Sequence, residues 1–172
     1  PTHKFGVWDD LMFEVAAEYQ AGLQKPYFGF LFPSSTHHPF VVPDDKWQQR
    51  SGDSREERFS DSLRYSDWTL GEYFRAVRQL PEFSNTLFIV TADHGGHETS
   101  HGGSSAEEMT VPWILSEASL RSGEIRRPIS VVDTAATAAY ALNLPIPSIW
   151  DGIPLYEAFN DPAPTRVELP CQ

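Results

Sequence analysis

The chain has 172 residues, enough for one domain with a sizeable core and too few for two comfortable ones. Apolar residues make up 40% and aromatics 13%, which argues against a disordered chain. The formal net charge of −11, from 24 acidic and 13 basic residues, argues against nucleic acid as a partner, because such binding neutralises phosphates with Lys and Arg.

No apolar run approaches the roughly 20 residues of a membrane-spanning helix; the longest covers residues 27–32. No signal peptide is visible. The chain begins at Pro1 without an initiator Met, so the expectation is a processed or excised piece. Its single cysteine, Cys171, leaves no internal disulfide and does not fix the compartment.

Residues 8–24 carry Leu11, Val15, Tyr19 and Leu23 at helical spacing behind Asp9 and Asp10, which predicts an amphipathic helix stopped at Lys25-Pro26. Residues 27–32 are continuously apolar and aromatic, the pattern of a strand buried on both faces. A polar loop over 33–40 holds His37 and His38, and 41–54 reads as irregular. A long helix is expected over 55–80, with Phe59, Leu63, Leu70, Phe74 and Val77 on its buried face and Pro81 at its end. A second buried strand, 86–92, runs straight into Asp93-His94-Gly95-Gly96. A short strand follows over 111–115, then a helix over 130–142 with Ser130 and Asp133 in the Ser-x-x-Asp form of a capping box. Residues 157–172 read as a poorly ordered tail.

Helices alternating with buried strands predict an α/β fold with a largely parallel sheet flanked by helices. Ligands of such sheets bind at the carboxyl ends of the strands. Both histidine-bearing loops leave strands at that end. Asp93 and His94 supply a carboxylate and an imidazole, donors that suit zinc or manganese better than calcium. Adjacent strand residues normally point to opposite faces, but a strand end followed by glycines can turn both toward one ion. An isolated Asp-His is more often a capped turn. Here His94, His97 and His101 fall within eight residues, half of the six histidines in the chain.

These residues resemble a family. Residues 88–95, Phe-Ile-Val-Thr-Ala-Asp-His-Gly, look like the metal-ligand signature of the alkaline phosphatase superfamily, which includes sulfatases, nucleotide pyrophosphatases, lipoteichoic acid synthases and phosphoethanolamine transferases. Residues 65–71 and 84–95 are similar to the helix-strand-ligand block of sulfatase-like proteins, and 108–115, 131–137 and 150–155 to the closing segments. The resemblance covers about residues 7–160. It implies a partial alkaline phosphatase-like fold, with residues 1–156 as the C-terminal half of a sulfatase-like catalytic domain.

Carried over residue by residue, the resemblance makes Asp93 and His94 metal ligands. It gives His101 a second metal or the substrate, and sets His37 against the substrate's phosphate ahead of His38. It implies one divalent ion, zinc or manganese ahead of calcium, with a second left open. The substrate would be a small-molecule, glycan or lipid phosphate or sulfate ester, handled outside the cytoplasm by a periplasmic or membrane-tethered protein. Three departures qualify this. The family's nucleophile and first acidic ligand lie on a segment before these residues, and Cys171 cannot replace them. Pro33 stands where two-metal members carry Asp, which favours one tight ion. No Lys follows Lys46, which tilts the reading toward phosphate esters. The expected partner is the missing N-terminal half of the domain, and the chain alone is expected to be inactive. The alternative is a truncated, non-catalytic sulfatase-like binding or structural module.

Overall fold

A computed structural model describes residues 2, 3, 6–49, 52–96, 103–117, 120 and 123–159. The chain divides into two compact units, Pro1–Phe83 and Ser84–Gln172. No described helix is long and apolar enough to cross a membrane.

The first unit opens with β1 (Thr2–His3) paired antiparallel to β2 (Gly6–Val7), and then packs two helices on each other, α1 (Asp9–Gln20) and α2 (Arg55–Val77). Helix α2 starts on a reciprocal cap. Ser54 Oγ receives the N–H of Glu57 at 3.2 Å, and the Glu57 carboxylate receives the N–H of Ser54 at 3.1 Å. The buried stripe of α2 is Ser62, Tyr65, Thr69, Tyr73 and Val77. Phe59 and Leu63, expected inside, are exposed. The helix is rotated because its contact face is built from small hydroxyl residues and tyrosines. Ser62 and Thr69 donate to carbonyls three residues back, both at 2.8 Å, so neither hydroxyl is stranded by burial. Phe13 of α1 lies on Tyr73 with ring centroids 5.2 Å apart, and the Tyr73 hydroxyl sits 2.7 Å from Gln20 Nε2 and 2.9 Å from its Oε1.

Residues 27–32 form no strand, which corrects the reading of a buried one. Phe28, Phe30 and Phe32 are 68%, 76% and 60% exposed, and the rings of Phe30 and Phe32 stack 6.3 Å apart. A strand needs a neighbour to receive its N–H and C=O groups and a layer to cover its side chains. Among the described residues of this unit no strand is placed beside the segment, and Phe28, Phe30 and Phe32 stay uncovered.

In the second unit β3 (Phe88–Thr91) pairs antiparallel with β4 (Trp113–Ser116), Phe88 opposite Ser116 and Thr91 opposite Trp113. Between them lies α3 (Ala106–Met109), and α4 (Asp133–Ala141) follows. The α/β class holds, although the pairing here is antiparallel rather than parallel. Helix α4 begins three residues later than expected, at Asp133, whose carboxylate receives the N–H groups of Ser130 at 3.0 Å and Ile153 at 2.8 Å. Thr137 Oγ donates to the Asp133 carbonyl at 2.7 Å and accepts the N–H of Leu155 at 3.2 Å. Trp113 Nε1 donates to Thr134 Oγ1 at 2.9 Å, fastening β4 to α4. Of the expected tail, residues 157–159 are described, and there Phe159 packs edge-on against Tyr140 at 5.1 Å.

Candidate functional site

The turn after β3 puts Asp93 and His94 side by side at the rim of the second unit. Gly95 makes that turn possible by close approach rather than by unusual dihedral angles. Its N–H donates to the Glu108 carbonyl at 2.9 Å, and a Cβ there would strike the Glu107 carbonyl oxygen and lie 2.7 Å from that of Thr110. Glu108 is itself held by a reciprocal cap with Ser105, so α3 forms a fixed floor under the turn.

Asp93 Oδ1 receives the N–H of His94 at 3.1 Å, and its Oδ2 lies 3.6 Å from His94 Nε2. His94 Nδ1 is 2.7 Å from the Gly95 carbonyl oxygen. A carbonyl only accepts, so Nδ1 carries the proton and Nε2 is the basic nitrogen. That is the hydrogen bond that orients metal-binding histidines generally. A separation of 3.6 Å can be spanned by two ligands each about 2.0–2.2 Å from one ion, and a carboxylate with an imidazole suits zinc or manganese. Both side chains are open to solvent, Asp93 at 62% and His94 at 44%. Among the described residues no group of three or more His, Cys, Asp or Glu is placed to hold a metal. His101, the third expected ligand, and His97 lie outside the described residues.

His37 belongs to the first unit, on a loop with the same local chemistry. Its Nδ1 lies 2.8 Å from the His38 carbonyl oxygen, so again the proton sits on Nδ1 and Nε2 is the base. The loop is tightly wound. His37 N–H donates to the Ser34 carbonyl at 3.0 Å, and the Phe40 N–H to the His37 carbonyl at 2.9 Å. Phe40 takes φ of 62°, a left-handed conformation costly for a bulky residue. Its ring is held by Phe59 at 5.3 Å and by the Arg55 guanidinium at 5.5 Å. The ring of His38 stands edge-on to Phe40 at 5.6 Å, so the two histidines are occupied differently.

Sequence reading missed Asp9, which reads as one of two ordinary first-turn acids of α1. It is 1% exposed and its carboxylate receives the N–H groups of Ser34 and Ser35 and the hydroxyl of Ser66. Only burial separates it from Asp10.

Comparison with known proteins gives the chain its kin. The family model described as Sulfatase matches residues 2–144. Lipoteichoic acid synthases of Staphylococcus aureus, strains USA300 and NCTC 8325 among them, are 27% identical over 100 residues, which is 56% of this chain and 15% of each synthase. A protein in the alkaline phosphatase superfamily from Vibrio parahaemolyticus superposes with a TM-score of 0.70 at 22% identity, over 84% of this chain and 36% of that one. The chain therefore spans a minor part of the relatives it matches. Its α/β architecture is a partial alkaline phosphatase-like fold, and the chain belongs to the sulfatase family.

Proposed function

We propose that this chain is the metal-binding portion of an enzyme, a hydrolase or transferase acting on phosphate esters, with sulfate esters second. The observation that carries the reading is the Asp93–His94 pair, with the imidazole oriented by the Gly95 carbonyl and its Nε2 3.6 Å from the carboxylate. Asp93 and His94 hold one divalent ion, zinc or manganese, with His101 as a third ligand or a substrate contact. Such an ion polarises the ester oxygen and makes a hydroxyl nucleophile more acidic. By the family resemblance, His37 serves the transferring group. With Nδ1–H committed to the His38 carbonyl, its Nε2 is where a proton is held for the phosphoryl or leaving oxygen.

The nucleophile and the remaining ligands come from a further part of the sulfatase domain, a reading supported by the 36% share of the Vibrio parahaemolyticus protein that this chain covers. The 172-residue chain alone then turns over no ester at an enzyme-like rate. Family membership supports a site of action outside the cytoplasm, and the synthases' name supports a lipid or glycan phosphate ester as substrate.

Calorimetric titration with zinc and manganese tests the metal. The expected result is one ion per chain, lost in Asp93→Ala and in His94→Ala. Heat identical in wild type and Asp93→Ala would overturn the assignment and leave a non-catalytic sulfatase-like module. Assays with an aryl phosphate, an aryl phosphodiester and an aryl sulfate, each with added zinc or manganese, test the claim of inactivity. Turnover by the lone chain would sink it.

A further inference from the structure

Asp9 is buried to 1% exposure, yet it belongs to neither the Asp93–His94 pair nor the ring of His37. Its Oδ1 receives two consecutive backbone N–H groups, Ser34 at 2.9 Å and Ser35 at 3.2 Å, and its Oδ2 receives the Ser66 hydroxyl at 3.1 Å. Successive amides converging on one oxygen form a concavity of the kind that elsewhere binds anions. Here a carboxylate from α1 fills it, with α2 contributing Ser66 on the other side. The loop is thus clamped to both helices at its first two residues.

Two features show that the loop is held against its own preferences. Among the described residues the buried Ser35 hydroxyl has no hydrogen-bond partner. Phe40 sits at a positive φ. Neither arrangement persists in an untethered loop. Between these two residues lies the carbonyl of His38, which fixes the His37 ring at 2.8 Å. The Ser34 carbonyl, on the clamped residue itself, receives the His37 N–H.

We propose that Asp9 is a positioning residue, whose carboxylate holds the 34–40 loop so that His37 keeps its proton on Nδ1 and presents Nε2 as the base. Without the clamp the loop relaxes and the ring reverts to the Nε2–H tautomer that histidine prefers in water. Nε2 is then a donor and cannot take a proton. The catalytic meaning of this rests on the assignment of His37 to the substrate under the proposed function; the tautomer does not.

The test is long-range proton–nitrogen NMR of the histidine rings in the 15N-labelled 172-residue chain, with His37 assigned through His37→Gln. Wild type is expected to show the neutral His37 ring as the Nδ1–H form. In Asp9→Ala the signature moves to Nε2–H, amide exchange at Ser34 and Ser35 quickens by roughly tenfold or more, and added formate, a small carboxylate, restores both. Val77→Ala, which weakens α2 at the end farthest from Arg55 and Phe59, leaves the His37 ring unchanged; an equal shift there would mean general destabilisation and overturn the proposal. So would a folded Asp9→Ala with wild-type His37 nitrogen shifts. If Asp9→Ala does not fold, Asp9→Asn decides. Its weaker neutral acceptor is expected to give faster Ser34 and Ser35 exchange and a mixed tautomer, and wild-type behaviour at both would sink the idea. Metal titration of Asp9→Ala stays as in wild type, so failure of the metal assignment and failure of this one are told apart.

Discussion

The hydroxyl of Tyr65 receives the backbone N–H of Asp10 across 3.1 Å, tying the middle of α2 to the first turn of α1. Burial pushes the Tyr65 phenol far above its ordinary value. The bond from the Asp10 N–H offsets part of that shift, and the nearby Asp10 and Asp9 carboxylates add to it. Tyr73 is shifted the same way, by burial first, with the Gln20 hydrogen bond opposing. A phenol whose pKa is raised on folding contributes stability that is whole below the unfolded value of about 10 and is lost as pH climbs through it. Urea unfolding near pH 8 and again near pH 10.5 should show wild type losing more stability than Tyr65→Phe over that interval. At the lower pH the variant should be weaker by about 0.5–1.5 kcal/mol, because the Asp10 N–H has lost its acceptor.

Removal of the Ser54 hydroxyl takes away one half of the cap on a 23-residue helix. Ser54→Ala is expected to cost about 1 kcal/mol, read as a lower urea midpoint at unchanged slope. Addition of Glu57→Ala should cost less than a second full increment, since the two groups serve each other.

Gly95→Ala puts a methyl group against the Glu107 and Thr110 carbonyls. The turn must open, at about 1–3 kcal/mol of stability. The same opening separates Asp93 from His94, so zinc affinity should fall along with the melting temperature. Gly123→Ala, where a Cβ meets nothing within 4 Å among the described residues, should leave zinc affinity unchanged.

An ion bound by the folded chain alone raises its stability with concentration, by about 2.7 kcal/mol at a hundredfold excess over Kd. Zinc should therefore raise the melting temperature of wild type, EDTA should reverse it, and Asp93→Asn should blunt it.

The elements legible in the sequence were those with strong local punctuation. Pro81 and the apolar run before Asp93 both mark boundaries that a chain reading can find. The Asp93–His94 turn was equally visible, because the apolar run before it and the glycines after it mark a strand end. What stayed hidden depended on partners far along the chain. The inner face of α2 is Ser62, Tyr65, Thr69 and Tyr73, and hydropathy favours Phe59 and Leu63 over those residues. The two tyrosine hydroxyls are at ease inside because of partners 53 and 55 residues away, Gln20 and Asp10. Asp9 was hidden for the same reason, since its three donors lie 25, 26 and 57 residues away. Residues 27–32 misled differently: their composition fits a strand, but pairing is a property of neighbours.

The outward rings of Phe28, Phe30 and Phe32 bear on how this polypeptide behaves in a tube. Six successive residues without charge or proline, half of them phenylalanine, are self-adhesive once two chains meet edge to edge. The net charge of −11 is what keeps such chains apart. That repulsion reaches only about 10 Å at 0.1 M salt and about 3 Å at 1 M. Stocks should stay clear when dilute and at low ionic strength, and turn cloudy as salt is added. Phe30→Lys is the simplest cure.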